Sequence, residues 1–172
     1  MENNWRFYVY LAFFLALGLL CQGLRFLLPM LPPPVELFLV GTLVNTVLVM
    51  AVAVTHRPAA SVIGLVLPIT AFFQGHLAIL PMVPVVGLGN MVFAWLAGRF
   101  LERRRVWAVP FLKGALLYGG ALLVIRLLAL PDRAAGLLAF MMGWPQLVTG
   151  ALGILLARVL LRRLAFFQKN SF

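Results

Sequence analysis

The sequence predicts an all-α integral membrane protein: a compact bundle of six transmembrane helices, with both the N and C termini cytoplasmic. Three observations predict it. Hydrophobic residues make up 64% of the 172 positions and charged residues only 10%, against roughly 45–50% and 25% in soluble domains. The apolar residues gather into six runs, most of them close to the ~20 residues a helix needs to cross a bilayer. Most of the charges stand where those runs end. A soluble domain of ~150 residues would still expose about 30% of its chain's surface, too much for so apolar a sequence.

The first run, Phe7–Leu28, is closed by Pro29 and by Pro32-Pro33-Pro34. It is too long for a signal-peptide core and no small-residue cleavage pattern closes it, so it reads as a span. The second, Val35–Val54, is closed by Thr55-His56-Arg57-Pro58. The third, Ala59–Phe73, is short and contains Pro68, which removes a helical N–H and predicts a kink. The fourth, Met82–Phe100, is closed by Glu102 and Arg103-Arg104-Arg105. The fifth, Val106–Leu130, is closed by Pro131-Asp132-Arg133, and the sixth, Ala134–Leu161, by Arg162-Arg163. The connections are too short for a separate domain, so residues 1–172 form one transmembrane unit.

A net charge of +10 does not indicate nucleic acid, whose binders collect Lys and Arg on one polar face. Here the basic residues set topology. With the N-terminus inside, the inner side takes Arg6, Arg57, Arg99, Arg103, Arg104, Arg105, Lys113, Arg158, Arg162, Arg163 and Lys169. The outer side takes Arg25, Arg126 and Arg133. Such a bias places both termini in the cytoplasm.

The chemistry of catalysis is absent. There is no H-E-x-x-H, no Walker loop, no cysteine pair and no G-x-S-x-G, so no enzymatic activity and no cofactor are expected. Cys21 stands alone and reads as packing. The two histidines, His56 and His76, fall on opposite sides, which disfavours a metal site. The acids are Glu2, Glu36, Glu102 and Asp132; Glu36 stands at the very start of the second run and none lies deeper within a span. Carriers driven by protons or sodium usually need an intramembrane carboxylate, so any transport draws its energy from elsewhere.

Polar groups in lipid are costly and tend to face a bundle interior or a cavity. Asn45, Gln74, His76, Asn90, Trp95, Trp144 and Gln146 fall in or beside the apolar runs. Asn45, Asn90 and Gln146 lie near mid-depth, where each either bonds a neighbouring helix or meets a ligand. Gly87-Leu88-Gly89 before Asn90 allows close backbone approach. Trp95 reads as packing. Arg25 and Glu36 flank the first loop and are placed to pair. Arg126 either snorkels outwards or binds a carboxylate or phosphate.

The first run also carries Ala12-Phe13-Phe14-Leu15-Ala16, with Ala12, Ala16 and Gly23 on one helix face. Such a small, apolar face suits close helix–helix approach. With the length and topology, it resembles the substrate-binding S component of an energy-coupling factor (ECF) transporter, an ABC-type importer. That family has six helices and an Ala-x-x-x-Ala motif on the first. Met30–Pro34 is similar to its first outer loop, Pro68 to Asn90 to its third loop and fourth helix, and Gly143-Trp144-Pro145-Gln146 with Gly150 and Gly153 to its sixth. The resemblance implies residence in a prokaryotic plasma membrane and a vitamin-like small-molecule substrate taken up near the outer face. Gln74, His76, Asn90, Trp144, Gln146 and Arg126 are the candidate substrate-binding residues. It also implies docking through Ala12 and Ala16 onto a transmembrane coupling subunit that works with two cytoplasmic ATPases. The start Met1-Glu2-Asn3-Asn4 lacks the Met-His opening of nickel- and cobalt-type members. The alternative is a structural membrane protein of the rod-shape-determining type, a scaffold without a ligand.

The basic-residue bias carries a direct expectation. Tags at either terminus stay inaccessible to reagents outside intact cells and become accessible after permeabilisation. External labelling of either tag contradicts the topology.

Overall fold

The computed structural model describes the backbone of residues 2–27, 30–77 and 79–170, and the side chains of residues 5–27, 30–77 and 79–164. Leu28 and Pro29, at the close of the first run, and the Lys169 side chain lie outside the described residues. Every described element is helical. The α-helices are α1 (Glu2–Leu27), α2 (Pro33–Thr55), α3 (Ile63–Phe73), α4 (Met82–Arg99), α5 (Val109–Leu127), α6 (Asp132–Met142) and α7 (Trp144–Asn170). Short 3-10 segments, Pro58–Val62 and Arg104–Ala108, lead into α3 and α5. Among the described residues, four stretches are long and apolar enough to cross a membrane: Trp5–Leu27, Pro33–Thr55, Met82–Arg99 and Arg104–Leu127. The chain is all-α and has the character of a multi-pass membrane protein.

The helix boundaries follow local chemistry. Pro33 and Pro34 open α2, where a missing N–H is one of the helix's unused donors. The helix ends on His56, whose φ of 54° turns the chain out of helical geometry while its N–H still donates to Val52 O. In α3, Pro68 sits inside the helix. Beside it, Gln22 Nε2 of α1 donates to Leu67 O at 3.0 Å, and Thr70 Oγ1 donates to Gln22 Oε1 at 2.9 Å. The proline's neighbourhood is thereby tied to α1.

The sixth apolar run, Ala134–Leu161, is not one helix. It breaks at Gly143, whose ψ of −125° leaves helical geometry. Pro145, the second residue of α7, fits a first helical turn. Gln146 Nε2 donates back to Met141 O at 3.0 Å and joins the two pieces.

α2 is the central helix. It packs most extensively on α7, and also on α1 and α4, and Asn45 through Val52 are buried without interruption. Small residues allow this. A Cβ added at Gly153 of α7 would stand 2.6 Å from the Asn45 Cβ, and one at Gly98 of α4 would stand 2.5 Å from the Val52 Cβ. Between α3 and α4 the approach involves backbone: a Cβ at Gly64 would lie 2.7 Å from the Met91 N. Van der Waals packing of this kind holds helices together where lipid removes the hydrophobic drive.

The two ends of the molecule differ. At one end, Arg57 lies over the Phe7 ring at 4.9 Å, Arg158 Nε donates to Leu101 O at 2.6 Å, and Arg162 pairs with Glu102 at 3.2 Å. Arg99, Arg103, Arg104 and Arg105 crowd the α4–α5 connection there. At the other end, Arg25 Nε pairs with Glu36 Oε1 at 3.2 Å. The apolar core is divided as well. One buried cluster joins α1, α2, α3, α4 and α7 around Leu48, Leu67, Phe93 and Ile154. A second joins α4, α5 and α6 around Met82, Leu117 and Met142.

Candidate functional site

A cavity lies between these clusters and opens toward the Arg25–Glu36 end. Its volume is about 130 Å³. Arg25, His76 and Leu77 stand at the mouth. Val40, Gly41 and Val44 of α2, Val86 of α4, and Met141 and Met142 of α6 supply apolar wall. Asn45, Asn90, Gln146 and Lys113 supply polar groups deeper in. An apolar cavity with a few placed polar groups is the usual form of a small-molecule site.

Lys113 sits at the fifth position of α5, near the basic end. A lysine there is expected to snorkel to the nearby aqueous boundary. It does the reverse. Its side chain runs into the bundle and is only 3% exposed. Nζ donates to Asn45 Oδ1 at 2.6 Å and stands 4.8 Å from the centre of the Phe93 ring, within cation–π range. Asn45 Nδ2 in turn donates to Thr149 Oγ1 at 3.3 Å. One polar chain therefore links α5, α2 and α7 behind the cavity. Among the described residues, no carboxylate pairs with Lys113.

Closer to the mouth, two buried polar atoms, His76 Nε2 and Gln74 Oε1, lack a partner among the described residues. The His76 ring packs on Phe26, centroids 5.1 Å apart. Partial burial, and then the positive charge of Arg25, push its imidazole below the ordinary histidine range, with Glu36 opposing. The neutral ring is the favoured form. Buried polar groups without partners are uncommon in native structures, and a ligand is one way to satisfy them.

The structure brings together part of the residue set read from the sequence. His76, Asn90 and Gln146 line the cavity. Gln74 caps the end of α3 beside them without lining it. Trp144 is 52% exposed and packs against Phe38 and Phe140, at 5.4 and 5.7 Å. It belongs to a shallow outer hollow with Phe111, Tyr118 and Leu147. Arg126 is exposed and lines no part of the cavity. Ala12 and Ala16 are exposed on α1, and a Cβ added at Gly23 meets no atom within 4 Å.

Sequence reasoning missed Gln22, Arg25 and Lys113 as cavity residues, and it counted Lys113 among the inner-side topology charges. A signal was present. Lys113 lies inside the fifth run, not at its end, and an ionisable residue within a span is a functional candidate by default. Comparison with known proteins finds no matching family model, no matching curated protein and no matching solved structure.

The polar chain separates two asparagines that look alike in the sequence. Asn45→Ala strips Lys113 of its acceptor and leaves a buried ammonium poorly satisfied. We expect it to lower unfolding free energy by about 1–3 kcal/mol. The Asn90 side chain has no hydrogen bond to lose among the described residues, so Asn90→Ala should melt within a few degrees of the parent. Thermal melts of both variants in one detergent check this, and equal losses would refute the distinction.

Proposed function

We propose that this chain is the membrane-embedded substrate-binding S component of an ECF-type importer. In this reading six spans form the bundle, with α3 and its 3-10 lead as the short third span and α6 with α7 as the sixth. The basic end, with both termini, faces the cytoplasm of a prokaryotic cell. The cavity faces outwards and captures a small, vitamin-like molecule. Delivery inward requires a transmembrane coupling subunit and two cytoplasmic ATPases. The chain itself supplies binding and no catalysis.

The observation that carries the proposal is the cavity. It opens at the end remote from the arginine-rich one, and it gathers the side chains of Asn90 and Gln146 with His76, whose Nε2 is buried without a partner among the described residues. A ligand-free scaffold of the rod-shape-determining type has no use for such groups, because each unsatisfied buried atom costs about 1–3 kcal/mol. That no acidic side chain lines the cavity among the described residues agrees with an energy source outside the chain. The open face of α1 supports the docking role. Ala12 and Ala16 are exposed while Phe14 and Gly18 on the opposite side are buried. The exposed stripe is thus free for a partner helix.

Ala12→Trp combined with Ala16→Trp should abolish co-purification with the coupling subunit and stop uptake. The folded chain itself should persist, since neither side chain is buried in it. A double variant that still co-purifies removes the docking role and the main support for the family.

A further inference from the structure

We propose that Lys113 is the anion-recognition residue of the cavity, and that the substrate is a small molecule carrying a single carboxylate. The inference rests on the cavity being a substrate site. It deepens that reading by assigning the ligand's chemical class.

The argument begins with charge. Two cationic side chains line the cavity, Arg25 and Lys113. Arg25 is compensated by Glu36, 3.2 Å away. Lys113 is not: its contacts are the neutral Asn45 amide and the Phe93 ring. Among the described residues, no acidic side chain lines the cavity. An ammonium taken from water and left without a counter-charge is strongly disfavoured. The nearby aqueous end offered this lysine a cheaper position, yet the fold turns it inwards. A bound anion entering from the mouth would supply the missing charge, and its oxygens would accept from Nζ in a strong, charge-assisted bond.

The magnitude of the charge narrows the class. One uncompensated cation matches one negative charge. A carboxylate carries one at neutral pH, whereas a phosphate monoester carries about 1.5 to 2. The walls agree. Val40, Val44 and Val86 would pack an apolar or aromatic body, and Asn90 and His76 retain polar atoms for its other substituents. Asn45 is then a positioning residue. By accepting from Nζ on one side and donating to Thr149 on the other, it fixes where the ammonium sits.

The test uses the purified chain alone, so it does not depend on any coupling partner. Its melting temperature is followed against acetate, butyrate and benzoate, each matched with its neutral amide, and against inorganic phosphate. Chloride is kept constant throughout. The parent chain should be stabilised by at least one acid at about 10- to 100-fold lower concentration than by the matching amide, the range of one charge-assisted hydrogen bond. Lys113→Met should lose that preference while melting near the parent temperature. Lys113→Gln serves the same purpose should the Met variant misfold, and Lys113→Arg should retain a weakened preference. General salt effects on this basic chain would survive in the Met and Gln variants, which separates them from a site. The proposal is overturned if no acid outperforms its amide, if the preference persists without the lysine, or if phosphate alone stabilises. A purely structural lysine would show as a large loss of melting temperature in both variants with ligand preference unmoved. Loss of the coupling interaction, read separately by co-purification, would leave these results standing.

Discussion

A lysine side chain held inside an apolar helical bundle is the constraint around which this protein is arranged. Lys113 lies at the basic end in sequence and near the middle of the molecule in space. Keeping it there requires an acceptor, which is Asn45, and a second helix to hold that acceptor, which is α7 through Thr149. Asn45 can occupy its place only because Gly153 carries no side chain at the crossing. The closest part of the α2–α7 interface therefore serves the polar chain as well as the packing. Replacing such a charge by an apolar residue of similar shape is often neutral or stabilising in other proteins. A charge retained without a counter-charge calls for a use beyond stability.

The cavity follows from how the helices are tied. Toward the basic end, glycines bring α2, α4 and α7 into close contact, and the first apolar cluster fills the space. Toward the other end, the break at Gly143 separates α6 from α7, and α6 packs instead with α4 and α5 in the second cluster. The gap between the clusters is the cavity. Gln146 closes one side by bonding across the break, and the α1–α3 tie through Gln22 closes another. Cavity and polar chain are thus products of one arrangement: tight crossings below, a divided core above.

Much of the fold was legible. Runs near 20 residues ended by proline or arginine located α1, α2 and α4 to within a few residues, because lipid permits little besides a continuous helix. His76, Asn90 and Gln146 stood out as polar residues in apolar surroundings. Other features were hidden for physical reasons. A helix between lipid and a bundle interior is apolar on both sides, so periodicity does not tell which side faces in. Trp144 therefore looked like a cavity residue, although it lies on the outer surface. The break at Gly143 was missed although its signal was present: Pro145, two residues on, removes a helical N–H just as Pro68 does. Lys113 was counted as a boundary charge because the positive-inside rule counts residues and is blind to where their side chains turn. Asn45 was read as either a tie or a ligand group; it forms the tie while also lining the cavity.

The central claim is that the uncompensated charge of Lys113 prepares the cavity for a small acid. Native mass spectrometry of the chain, purified gently from cells that make it, tests this most directly. The account predicts a bound small molecule that titrates as a monocarboxylic acid after release and is absent from Lys113→Met prepared in parallel. A chain that retains lipid and carries no small molecule, or a Met variant that carries the same molecule in equal yield, would contradict it.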